Sequence, residues 1–171
     1  MKTLVIHPKD STTNFLSKIY EGNDWTVIND DISKKELKTL IKNHSRIVLL
    51  GHGTEYGLIG FNRIIIDSKL VYLLREKIGV YIWCNADKFV LKYNLNGFYT
   101  GMFISEQNEA DFLNVKTNYQ WINESNKEFA NSIKLSIDTK EMLTNVNKHY
   151  KGYNDLTSYN KERFYIKNYK I

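Results

Sequence analysis

The chain has 171 residues, of which 42% are hydrophobic and 25% are charged, a balance typical of a folded domain rather than a disordered chain. Its single cysteine, Cys84, excludes an intrachain disulfide and a zinc site built from several thiolates, and its single proline, Pro8, excludes a proline-rich linker. The net charge of +5 makes the chain only mildly basic. These numbers exclude a disulfide-rich secreted scaffold, a zinc-ribbon protein and a multi-domain enzyme.

The first residues of the chain do not read as a targeting segment. The apolar run Leu4-Val5-Ile6 is shorter than the roughly 7–15 apolar residues of a signal peptide. No stretch approaches the roughly 20 apolar residues that span a bilayer. With one free thiol, the composition predicts a cytoplasmic protein that does not bind membranes.

Five short apolar runs predict β-strands, and the segments between them predict helices. The strands cover residues 3–7, 25–28, 46–50, 78–83 and 99–104. Helices are predicted over residues 10–20, 68–77 and 86–93. Another helix is predicted to begin at a capping box formed by Ser33 and Glu36. Two further helices are predicted over residues 118–137 and 140–150.

Strands that are apolar almost throughout and alternate with helices are typical of a parallel sheet covered on both faces. We therefore predict an α/β fold with a doubly wound, mostly parallel sheet in the strand order 2-1-3-4-5. Residues 1–112 would form the sheet core and residues 113–171 a helical C-terminal part. No linker long enough to separate two domains is visible, so residues 1–171 are predicted to form a single domain.

Two reactive side chains follow neighbouring strands of this predicted sheet. His52 comes directly after the third strand, and Cys84 directly after the fourth. The axes of neighbouring strands lie about 4.8 Å apart, so both side chains would sit at the edge where α/β sheets bind ligands. An imidazole beside a thiol can take its proton, and the backbone amides of Gly53 and Cys84 could form an oxyanion hole. The pattern predicts a catalytic His52–Cys84 dyad.

A hydrophobic strand ending in His52 and Gly53, then a helix, then a second hydrophobic strand ending in Cys84, resembles the caspase-like cysteine peptidases. This group includes caspases, metacaspases, legumains, gingipains, clostripain, separase and bacterial CHAT domains. The stretch GHGTEYGL at residues 51–58 is most similar to the gingipain and CHAT type. The resemblance covers roughly residues 1–112. It implies a caspase-like fold, a polypeptide substrate, no cofactor, Cys84 as nucleophile and His52 as the general base or acid.

The resemblance also suggests where the substrate binds. Residues 105–110 look like the loop that lines the primary specificity pocket of metacaspases, which implies roles for Ser105, Glu106 and Glu109. Together with Glu55, the two glutamates are the carboxylates nearest the predicted edge, and they favour a basic residue before the scissile bond. An acidic residue before the scissile bond would need a basic side chain in the pocket, and Arg63 could supply it.

Two other functions remain open at the level of the sequence. Trp83 stands where the family usually has a small residue, so the chain could be an inactive caspase-like module that binds or regulates a partner protein. It could also be an unrelated flavodoxin-like domain that binds a small ligand or nucleic acid. Lysines and tyrosines alternate in residues 148–171, but a net charge of +5 gives little support to nucleic-acid binding. The four scattered histidines have no metal-ligand spacing, so no metal site is expected.

Overall fold

The computed structural model describes residues 1–171. The strands are β1 (Thr3–Ile6), β2 (Thr26–Ile28), β3 (Arg46–Leu50), β4 (His52–Thr54), β5 (Gly57–Gly60), β6 (Arg63–Ile66), β7 (Ile78–Ile82), β8 (Gly97–Thr100) and β9 (Phe164–Lys167). The α-helices are α1 (Lys34–Asn43), α2 (Val71–Leu74), α3 (Ala86–Lys92), α4 (Gln107–Phe112), α5 (Tyr119–Ser136), α6 (Met142–His149) and α7 (Asp155–Lys161). Short 3₁₀ helices cover Asn14–Ile19 and Ser68–Leu70. None of these helices is long and apolar enough to cross a membrane.

The main sheet has six strands in the order β2-β1-β3-β7-β8-β9. The first five are parallel, and β9 pairs antiparallel with β8 at the edge. All residues of β1, β3 and β8 are buried, as are all of β7 except Ile78, which is why these strands read as continuous apolar runs. The predicted α/β class with a mostly parallel sheet is confirmed.

Side chains on the two faces of the sheet pack into two separate hydrophobic cores. On one face, Leu4, Ile47 and Tyr81 pack with apolar side chains of α1, α2 and α3. On the other face, Val48 and Val80, neighbours of these residues along the strands, pack with α5, α6 and the 3₁₀ helix at Asn14–Ile19. Alternation along each strand therefore divides the apolar residues between two helical layers.

A second, smaller sheet lies between β3 and α2, where the sequence predicts no strand. Strands β4, β5 and β6 form an antiparallel meander. One side of it buries Leu58 and Ile66, whereas Ile59 and Ile64 on the other side are exposed. The sequence prediction missed this sheet because only one of its faces enters the core and glycines interrupt its apolar pattern.

Four other predicted elements differ from the structure. The fifth strand, expected over residues 99–104, is β8 at Gly97–Thr100, and residues 101–104 are not part of it. The helix expected over residues 10–20 is a shorter 3₁₀ helix, because the Asp10 carboxylate binds the backbone N–H of Thr12 at 2.9 Å and holds a turn before it. The helix expected over residues 68–77 ends at Leu74. The C-terminal part is not wholly helical, since it supplies strand β9, whose Phe164 enters the second core.

Candidate active site

The structure brings His52 and Cys84 to the same cleft at the carboxyl ends of β3 and β7. Leu50 and Ile82 are paired across these strands, and each reactive residue lies two positions beyond that pair. Gly51 turns the chain from β3 into β4 with a φ of +138°, a conformation that side-chain-bearing residues rarely adopt. Asn85, at φ +65°, turns the chain after Cys84 into α3.

The imidazole of His52 is tied to the segment that follows β1. Its Nε2 lies 2.7 Å from the hydroxyl Oγ1 of Thr12 and 3.5 Å from Oδ1 of Asp10. The Thr12 hydroxyl in turn donates to the same Asp10 oxygen at 2.6 Å. Hydrogen bonds from Thr12, and to a smaller extent the charge of His52, hold the pKa of Asp10 below its usual value. Neither residue is predicted from the sequence as part of the site, because both lie in the segment predicted to form a helix over residues 10–20.

The thiol of Cys84 has other partners in the resting structure. It donates to the carbonyl oxygen of Phe103 at 3.6 Å and to Oε1 of Glu109 at 3.7 Å. No hydrogen bond joins it to His52. Burial, followed by the nearby negative charge of Glu109, raises the pKa of the Cys84 thiol to about 12. The thiol of Cys84 is therefore neutral at physiological pH.

Of the two residues whose backbone amides are predicted to form an oxyanion hole, Cys84 lines the cleft and Gly53 does not. The N–H of Cys84 makes no hydrogen bond within the chain and is free to donate to a ligand. Gly53 lies opposite Leu58 in the small sheet and packs directly against the indole ring of Trp83. A side chain at position 53 would overlap that ring, so glycine is required there by close approach.

The bulky Trp83 does not cover the thiol. Its indole is 2% exposed and packs edge-on against Tyr81 and Phe89 in the core on the α3 side of the sheet. Its Nε1 donates to the carbonyl oxygen of Thr54 at 3.0 Å. Cys84, the next residue, contacts Phe103 in the opposite core. Strand alternation therefore separates the indole from the nucleophile.

The four residues expected to bind substrate lie at different places in the structure. Ser105 lines the cleft, and Glu106 lines an adjoining groove. Glu109 instead closes a capping box: its Oε2 accepts hydrogen bonds from Ser105 N at 2.7 Å, Ser105 Oγ at 3.2 Å and Glu106 N at 3.1 Å. Glu55 lies in the turn between β4 and β5 and lines neither the cleft nor the groove.

The adjoining groove runs between residues 11–15, residues 105–107 and the first half of α5. It shares Phe15 and Ser105 with the cleft, so the two depressions adjoin each other. Most of its lining side chains are polar and uncharged: Ser11, Thr12, Asn14, Ser105, Gln107, Asn123 and Asn126. Lys127 and Glu106 are its two charged residues.

Comparison with protein-family models, with curated proteins and with solved structures finds no match to this chain. The chemistry of the cleft therefore has to be inferred from its own residues.

Proposed function

We propose that the protein is a caspase-like cysteine endopeptidase that uses Cys84 and His52 to cleave peptide bonds. The observation that carries the proposal is the placement of the single thiol and an imidazole in one cleft, each two positions beyond the same pair of strand residues. This is the edge of a parallel sheet at which α/β proteins bind their ligands.

In the proposed reaction a peptide carbonyl enters the cleft and lies beside the neutral thiol of Cys84. Its proton passes to His52 as Sγ attacks the carbonyl carbon, because a thiol with a pKa of about 12 is not ionised beforehand. The backbone amide of Cys84, which lines the cleft, donates to the oxyanion. His52 then protonates the leaving amine, and water hydrolyses the thioester to free the acid and restore the thiol.

The proposed substrate is a polypeptide that lies in the groove beside the cleft. The uncharged polar lining of the groove suits the N–H and C=O groups of an extended chain. Glu106 lines the groove and is the carboxylate proposed to select a basic residue before the scissile bond, because Glu109 bonds to the backbone N–H groups of Ser105 and Glu106 and to the Cys84 thiol.

The proposal is tested by cleavage of a positional-scanning library of fluorogenic peptides. Wild-type protein is expected to cleave some members, whereas Cys84→Ala and His52→Ala are expected to cleave none. His149→Ala, which removes an exposed histidine far from the cleft along the chain, is the matched control and should retain full activity. Cleavage that persists in Cys84→Ala would reject the proposed nucleophile.

One observation favours a second candidate, a non-catalytic module that binds a partner protein. The thiol is neutral and bonded to Phe103 and Glu109 rather than to His52. If wild-type protein cleaves no library peptide but binds peptides equally well with and without the Cys84 thiol, this second function replaces the first.

A further inference from the structure

Asp10, Thr12 and His52 form a chain of hydrogen bonds whose direction is fixed by their chemistry. An ionised carboxylate only accepts, so the Thr12 hydroxyl must donate its one proton to Asp10 at 2.6 Å. The same Oγ1 lies 2.7 Å from Nε2 of His52 and has only lone pairs left to offer. Nε2 must therefore carry the proton and donate it to Thr12.

This arrangement leaves the other ring nitrogen, Nδ1, without a hydrogen-bond partner in the structure. In a neutral imidazole protonated at Nε2, Nδ1 holds the free lone pair and is the atom that can accept a proton. We propose that Asp10 and Thr12 are positioning residues that hold His52, a residue of the cleft lining, as the Nε2–H tautomer and thereby make Nδ1 its basic nitrogen. The inference rests on the proposed peptidase function for its catalytic consequence.

The two positioning residues are fixed before any ligand binds. The backbone N–H of Thr12 also donates to Oδ1 of Asp10, at 2.9 Å, so carboxylate and hydroxyl belong to one local turn. The carbonyl oxygen of Asp10 accepts from the N–H of Thr13 at 3.3 Å and continues that turn. His52 is reached across 40 positions of sequence, so the contact is a tertiary one that only the folded chain provides.

Nitrogen-15 NMR of the imidazole rings tests the tautomer directly, with His52 assigned by comparison with His52→Gln. At mildly alkaline pH the wild type is expected to give the shift pattern of a neutral ring protonated at Nε2. Thr12→Val removes the hydroxyl at nearly constant volume and should shift this pattern towards a mixture of both tautomers. Thr12→Ser keeps the hydroxyl and should preserve it, and Thr39→Val, a threonine on α1, is the control.

The kinetic readout uses whichever library peptide the wild type cleaves. Thr12→Val is expected to lower kcat about tenfold, the effect of one orienting hydrogen bond, and Thr12→Ser, which keeps the hydroxyl, is expected to restore it. A wild-type ring protonated at Nδ1, or a tautomer that Thr12→Val leaves unchanged, would overturn the proposal. The NMR result decides this even if no peptide is cleaved, an outcome that would reject the peptidase function alone.

Discussion

At the scale of single residues, the Cys84 thiol and the His52 imidazole of the candidate site bind different partners. Cys84 donates to Phe103 and Glu109, whereas Nε2 of His52 is hydrogen-bonded to the Thr12 hydroxyl. The resting site therefore does not contain a thiolate–imidazolium pair. A carboxylate beside a thiol opposes ionisation, so Glu109 sets the reactivity of Cys84 in addition to its capping role.

Replacing Glu109 by Gln is expected to make Cys84 more reactive. The amide removes the negative charge beside the thiol and can still accept the capping hydrogen bonds, so the pKa of Cys84 should fall. Iodoacetamide labelling at mildly alkaline pH, followed by mass spectrometry, should quicken about tenfold for each unit of that fall. Burial persists, so labelling stays slower than that of the unfolded chain.

The matched control for this experiment is Glu106→Gln, in the same turn. Its carboxylate makes no hydrogen bond to the thiol and is the smallest contributor to the raised pKa of Cys84. Equal labelling rates in the two variants would show that the effect is not specific to Glu109.

His7 makes the stability of the protein depend on pH below neutrality. Its side chain is 4% exposed, and burial lowers the pKa of the ring from 6.5 to about 4. Between pH 6.5 and 4 the His7 ring is protonated in the unfolded chain but not in the folded chain. The contribution of His7 to the free energy of unfolding is therefore fully present above pH 6.5 and is lost as the pH falls towards 4. The shift corresponds to about 3 kcal/mol.

Urea denaturation at a series of pH values measures this loss. His7→Phe, which keeps an aromatic ring but cannot titrate, should flatten the dependence between pH 6.5 and 4, whereas the exposed His149→Ala should keep the wild-type slope. An unchanged slope in His7→Phe would assign the dependence to other groups.

At the scale of elements, the sequence predicts best those strands that are buried on both faces. Strands β3 and β7 are continuous apolar runs, and their ends mark the positions of His52 and Cys84. The small sheet that contains β4 is not predicted because its strands include glycines and a histidine, which do not form an apolar run. Its position depends on a tertiary contact, the packing of Gly53 against Trp83, which no local pattern encodes.

Gly53→Ala tests the contact that docks the small sheet onto the main one. The added methyl group would overlap the Trp83 ring and lie 2.7 Å from the carbonyl oxygen of Gly57. We expect the free energy of unfolding to fall by about 1–3 kcal/mol, the usual cost of overpacking, measured by urea denaturation. Gly101→Ala is the control, because its methyl group would meet no atom closer than 3.4 Å. Equal stability of both variants would contradict this role for Gly53.

At the scale of the whole molecule, the site depends on segments that are far apart in the sequence. The segment after β1 supplies Thr12, and the turn before α4 supplies the partners of Glu109. Asn160 of α7 binds both the N–H and the C=O of Ile104, at 2.8 and 3.0 Å, and so fixes the chain beside Ser105. Strand ends could be predicted from apolar runs, but these long-range contacts exist only in the assembled fold.

The last residues of the chain complete the second core rather than forming a separate arm. Phe164 of β9 packs in that core, and the buried Tyr169 donates its hydroxyl proton to the carbonyl oxygen of Ile137 at 2.6 Å. Removal of residues 163–171 would therefore strip two aromatic side chains from the core and expose the edge of β8. Each burial contributes roughly 2 kcal/mol, a large share of the roughly 5–15 kcal/mol that stabilises a typical domain.

We expect the chain truncated after Glu162 to lose its cooperative urea transition and its near-ultraviolet circular dichroism, because the second core would be open along one side. The matched control removes only Lys170 and Ile171, which are exposed, and should unfold at the wild-type urea concentration. If the longer truncation unfolds with the wild-type midpoint, the tyrosines and lysines of this segment lie outside the cooperative unit. The alternating tyrosines and lysines would then be better explained by binding to a partner than by packing in the core.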